Sequence, residues 1–125
     1  MVVQKTLNLR TSGRDRLHIT DDVNSMVGQS NISDSICHVF IMHTSTSLML
    51  CENADPIVRA DLETIMERLA PDGDPVYRHD TEGVDDMAAY IRTVLTDSNL
   101  NLPVKDGRCL FGWKHLEQVF QAKAE

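Results

Sequence analysis

The sequence is short of positive charge. Twelve lysines and arginines face nineteen aspartates and glutamates, giving a formal net charge of -7 and a pI near 5.1. No nucleic-acid partner held through a basic face is expected of such a chain. Long apolar runs are missing as well. No stretch approaches the ~18 consecutive apolar residues that a membrane span needs, and the opening "MVVQKTLNLRTSGRDR" alternates polar and apolar residues instead of carrying the continuous apolar core of a signal peptide. Cysteine is sparse and unpatterned: Cys37, Cys51 and Cys109 lie far apart with no CxxC spacing. An odd count without a framework predicts reduced thiols in a cytoplasmic protein, not a disulfide scaffold. Repeats, low-complexity tracts and linkers are absent too, so residues 1–125 are expected to form one domain, long enough to bury a core without staples. The 42% hydrophobic and 25% charged content is that of an ordinary soluble globular protein.

What is present reads as alternating strands and helices. "VVQKTLNL" alternates as a half-buried strand, Ser12-Gly13 reads as a turn, and "RLHIT" as the returning strand of a hairpin. Asp21 and Asp22 are placed to cap a short helix through Val23, Met26 and Val27. "SICHVFIMHTSTSLMLC" is dense in β-favouring residues and long enough for two strands, or for one strand bent near His43-Thr44. The clearest helix is "ADPIVRADLETIMERLAP", with Asp55 as N-cap, Pro56 at the first helical position and an apolar stripe of Val58, Leu62, Ile65 and Leu69. A second helix follows Asp85-Asp86, with Met87, Ile91, Val94 and Leu95 as its apolar face. Asp106-Gly107 marks the turn of a hairpin in "LNLPVKDGRCLF", and the final "HLEQVFQAKAE" is ambiguous between strand and short helix. The expected order is β-β-α-β-β-α-β-β, with a last strand left open. Hairpins dominate it, and that predicts an α+β fold on an antiparallel sheet or sandwich.

Three polar clusters carry candidate chemistry. His43 adjoins Thr44, Ser45, Thr46 and Ser47; successive hydroxyls can donate to phosphate oxygens, and a histidine beside them can act as acid, base or ligand. A solvent-facing strand with an incidental histidine explains the same residues and is slightly favoured on physics alone. Glu52 and Asn53 stand directly before the capped helix, whose first N–H groups attract anions. Capping chemistry accounts for Asp55 but not for these two. "HDTEGVDD" gathers His79, Asp80, Glu82, Asp85 and Asp86, a density that can bind a divalent cation, although the spacing matches no specific metal motif and acidic loops before helices are common. His18 and His38 sit within apolar alternations and read as structural, and the cysteines read as core or inert. Arg108, beside Gly107, is either a turn residue or an anion clamp.

The segments "HTSTSLMLCENADPIVRADLE", "YRHDTEGVDDMAAYIRTVL" and "LNLPVKDGRCLFGW" together resemble the YjbQ family, also called UPF0047 or the secondary thiamine-phosphate synthase family. The likeness runs from about His18 to about Trp113, with several motifs in matching order and spacing. It implies a YjbQ-like antiparallel β-sandwich with two main helices packed outside, assembled as a homotrimer with a polar pocket near subunit contacts. It further implies weak joining of hydroxymethylpyrimidine diphosphate to thiazole phosphate. By that likeness His43, Glu52 and His79 would be catalytic, and Thr44, Ser45, Thr46, Asn53 and Arg108 would hold the phosphorylated substrate. His43 and His79 are the candidate ligands of a divalent metal, Mg²⁺ or Zn²⁺. The chain departs from the pattern at "AYI", where Tyr90 replaces a histidine, and after Gly112, where one residue is missing and the terminal acidic-basic motif is gone. A phenol, with pKa ~10, supplies neither the neutral-pH proton transfer nor the metal nitrogen of an imidazole. Two alternatives therefore stand beside the synthase reading: a trimeric binding protein for a phosphorylated or anionic small molecule, without turnover, and a metal-dependent hydrolase.

Overall fold

A computed structural model describes residues 1–52, 55–112 and 114–121; the side chains of His115 and Phe120 fall outside that description. Asn53 and Trp113 lie outside the described residues. The elements are β1 (Asp15–His18), α1 (Thr20–Gln29), β2 (Ser35–Phe40), β3 (Thr46–Cys51), α2 (Pro56–Leu69), α3 (Asp86–Leu95), β4 (Asn99–Lys105), β5 (Arg108–Cys109) and β6 (His115–Phe120). They form two three-stranded antiparallel sheets, ordered β1-β6-β3 and β2-β4-β5. One core joins them, built on Leu48 of β3, Leu116 of β6, Leu102 and Val104 of β4, and Ile19 and Val23 at the start of α1. The fold is thus the antiparallel α+β arrangement that the sequence predicts.

Several elements fall where the local signals put them. The long β-favouring run breaks into β2 and β3, with His43-Thr44 in the connection. Asp55 caps α2, its Oδ1 accepting the N–H of Ile57 at 2.9 Å, and Pro56 takes the first turn, where its missing N–H costs nothing. Asp106 and Gly107 both have positive φ, 53° and 75°, the pair of conformations that a tight β-hairpin turn needs. The ambiguous ending is a strand, β6, the central member of its sheet.

Four expectations are corrected. Residues 2–9 form no strand: Leu7 and Leu9 pack against the core, yet β1 pairs with β6 and the segment has no ladder partner among the described residues. Alternation reports a buried face; it does not supply a neighbouring strand. The expected order holds one helix too few: three helices are present among the described residues, α2 and α3 being consecutive. α1 begins at Thr20, so Asp21 and Asp22 lie within its first turn, where they favour the positive helix end without capping it. The buried face of α3 is Ala88, Ala89 and Arg92, while Val94 and Leu95 are exposed at 82% and 54%. Small alanines let the helix sit close to its neighbours. Arg92, with no exposed surface, donates through Nε to the Ala70 carbonyl at 3.4 Å and through Nη1 to Glu63 at 3.0 Å. Ala70 closes α2, so this buried cation answers the negative end of that helix.

α2 lies over the face of its sheet that is turned from the core. Met49 and Val119 of the sheet meet Leu62 and Met66 of the helix around a cavity of about 140 Å³. Both faces of β6 are therefore covered. Among the described residues, no helix is long and apolar enough to cross a membrane.

Candidate functional site

His43 and Thr44 sit on the connection between two strands of different sheets, both exposed. His43 Nδ1 accepts the backbone N–H of Ser45 at 2.9 Å. A ring nitrogen that accepts carries no proton, so the neutral imidazole bears its proton on Nε2. The neighbouring hydroxyls divide between surface and interior. Ser45 and Thr46 are buried, and Ser47, with no exposed surface, accepts from Gln121 Nε2 at 3.0 Å. Thr44 is thus the hydroxyl presented beside His43. Glu52 lies exposed just past Cys51, the last residue of β3. The six residues of that strand, roughly 20 Å of extended chain, separate it from the His43 end.

His79 belongs to the excursion between α2 and α3, whose ends are tied by the Gly73 N–H donating to the Val84 carbonyl at 2.6 Å. Its Nε2 lies 3.2 Å from Glu82 Oε1, and its ring leans on Tyr90 with centroids 5.7 Å apart. The Tyr90 hydroxyl donates to Glu82 Oε2 at 3.3 Å. Gly83 makes room for this loop, since a Cβ there would stand 3.2 Å from Asp85 Oδ1. Desolvation, followed by the negative charges of Glu82 and Asp85, raises the Asp86 carboxyl above its usual range. Desolvation and the charges of Glu82 and Asp86 raise the Tyr90 phenol. Tyr90 accordingly stays protonated at neutral pH and serves as a hydrogen-bond donor.

Arg108 is exposed on β5, opposite Lys105, and makes no ion pair among the described residues. The tip of its hairpin is anchored where the N–H groups of Asp106 and Gly107 donate to the Asp34 side chain and the Ser33 carbonyl. Among the described residues, no three His, Cys, Asp or Glu side chains are arranged to hold a metal ion.

A second polar cluster escapes sequence reasoning because no two of its members are near in the chain, save Arg16 and His18. Glu117, on the α2-facing side of β6, is 1% exposed. Arg59 of α2 donates through Nη2 to its Oε1 and also meets His18 Nε2. Arginine only donates, so His18 accepts there and keeps its proton on Nδ1, 3.7 Å from the same carboxylate oxygen. Arg16 Nη1 lies 3.8 Å from Glu117 Oε2. His18 and His38 both face outward; His38 meets Asn101 at 2.8 Å across the paired strands β2 and β4. The one signal of this cluster was a glutamate inside an apolar strand. Burial pushes the Cys109 thiol up to about 12, which leaves it un-ionised and inert at neutral pH, and raises Cys37 as well.

Comparison with known proteins places these features in context. A model of the family described as "UPF0047 protein YjbQ-like" matches residues 5–121. The chain is 36% identical to the UPF0047 protein sll1880 of Synechocystis, over 94% of this chain and 85% of the relative. It is 39% identical to the UPF0047 protein YjbQ of Escherichia coli O157:H7, over 90% of this chain and 81% of that one. Among solved structures, an uncharacterised YjbQ/UPF0047-family protein of Clostridium acetobutylicum superposes with a TM-score of 0.82 at 28% identity, covering 94% of this chain and 89% of the other.

Proposed function

This chain belongs to the UPF0047 protein YjbQ-like family, and from that premise we propose that it is a secondary thiamine-phosphate synthase-like protein acting as a homotrimer. Its reaction condenses hydroxymethylpyrimidine diphosphate with thiazole phosphate. The thiazole nitrogen attacks the pyrimidine methylene, the carbon–oxygen bond to diphosphate breaks, and its electron pair leaves on the diphosphate. Such a displacement needs negative charge to be stabilised on the leaving group more than it needs a strong base.

The observation that carries this reading is the state of His43. Because Nδ1 accepts from Ser45, the ring offers Nε2–H as a donor beside Thr44, suited to a phosphate oxygen. Glu52 stands beyond the other end of β3, so a pocket using both residues is best built across a subunit contact. Ile36 and Phe40 on the outward face of β2, exposed at 69% and 59%, supply apolar surface that an assembly would cover.

A second reading, a trimer that binds a phosphorylated small molecule without converting it, is favoured by Tyr90. Its phenol, held by Glu82 and raised in pKa, cannot relay a proton at neutral pH. Incubating the purified protein with both substrates, with and without Mg²⁺, separates these readings. Thiamine phosphate appearing with stoichiometric pyrophosphate is the expected result. Saturable substrate binding without product would replace synthase by binding protein, and metal-stimulated release of inorganic phosphate would replace it by hydrolase.

A further inference from the structure

Between the sheet edge at β1 and the helix α2 runs a cleft of about 610 Å³, a size that suits a small ligand. One wall carries Arg14 and Arg16; the other presents Arg59, Glu63 and Glu67, spaced four residues apart on one helix face. Ala60 and Val119 add apolar surface between the charges.

Pairing off the charges already used leaves a pattern. Arg14 is held by Asp72 at 3.0 Å and by the Gln121 carbonyl at 2.8 Å, and Glu63 is held by Arg92 at 3.0 Å and Arg14 at 3.7 Å. Both are accounted for. At one end of the cleft, Arg16 and Arg59 share the single buried carboxylate of Glu117, two cations to one buried anion, with the exposed Asp15 on the same wall. Arg16 Nη1 and Arg59 Nε are buried there with no hydrogen-bond partner among the described residues, as is Glu117 Oε2, 3.8 Å from Arg16 Nη1, although such groups are normally satisfied. At the other end Glu67 is exposed and makes no ion pair among the described residues. Arg59 and Glu67 are eight residues apart on α2, roughly 12 Å along its axis.

We propose that this cleft binds an extended dipolar small molecule, with an anionic group on Arg16 and Arg59, a short apolar middle, and a cationic amine on Glu67. The site uses none of the residues of the synthase reading and stands or falls separately from it.

Calorimetric titration of the full chain with ω-aminooctanoate, octanoate and octylamine tests the assignment. The dipolar compound is expected to bind about tenfold more tightly than either one-ended compound, the factor that one additional charge-assisted contact gives. Glu67→Gln, at an exposed position with no ion pair, is expected to bring ω-aminooctanoate down to the affinity of octanoate while leaving octanoate unchanged. Arg16→Gln is expected to weaken both carboxylates about tenfold and to leave octylamine unaffected. Equal affinity for all three compounds, absence of saturable binding, or indifference to both substitutions in folded protein would overturn the proposal.

Discussion

The His79 and Glu117 clusters contain similar side chains and differ in how they are made. His79, Glu82, Asp86 and Tyr90 come from one short stretch of chain and meet near the surface, Glu82 being 56% exposed on its side chain. Glu117, Arg59, Arg16 and His18 come from β6, α2 and β1, and their carboxylate is buried. The first cluster can change its charges at little cost, because water screens them. In the second, each charge depends on the others, since a buried ion without its partner is strongly unfavourable. Surface chemistry and fold stability are thus divided between the two.

The largest expected effect comes from removing the buried anion. Glu117→Ala leaves Arg59 and Arg16 facing each other and is expected to destabilise the fold by about 3–5 kcal/mol, read by denaturant unfolding. A loss below about 1 kcal/mol would erase the contrast between the clusters. Asp55→Ala removes the N-cap of α2, on which Arg59 rides, and is expected to cost about 1 kcal/mol in the same assay. Glu82→Gln, at the exposed cluster, is expected to change stability by less than about 0.5 kcal/mol; a larger cost would make that cluster structural as well.

The smallest effect is a pH signature. Asp86 keeps its proton to higher pH when folded than when unfolded. Its favourable contribution is therefore complete below the ordinary carboxylate value of 3.8 and is lost as pH rises through the raised folded value. Asp86→Asn is expected to raise Tm at neutral pH, with the gain vanishing below the ordinary carboxylate range. A gain of equal size at both pH values would contradict the shift.

Local signals made much of this fold readable. The Asp55-Pro56 cap, the Asp106-Gly107 turn and the break after "IMH" each depend on a few neighbouring residues. The failures depend on what lies across the molecule. Residues 2–9 alternate correctly but meet no partner strand among the described residues. Arg92 reads as the polar side of α3 and is buried, because the end of α2 and Glu63 receive it. β6 looked ambiguous because both its faces are covered, by the core and by α2, and a strand covered on both faces loses its alternation. His43 and His79 stood out by type and company, whereas the division of the hydroxyls, Thr44 outside and Ser45 to Ser47 inside, depends on how β3 packs.

The synthase reading turns on His43 and its Nε2–H. The most direct measurement is thiamine-phosphate formation by wild type and His43→Ala, both verified as folded by their unfolding curves. The account predicts turnover in the wild type and none above background in the variant. Equal turnover in both, or none in the wild type, would contradict it.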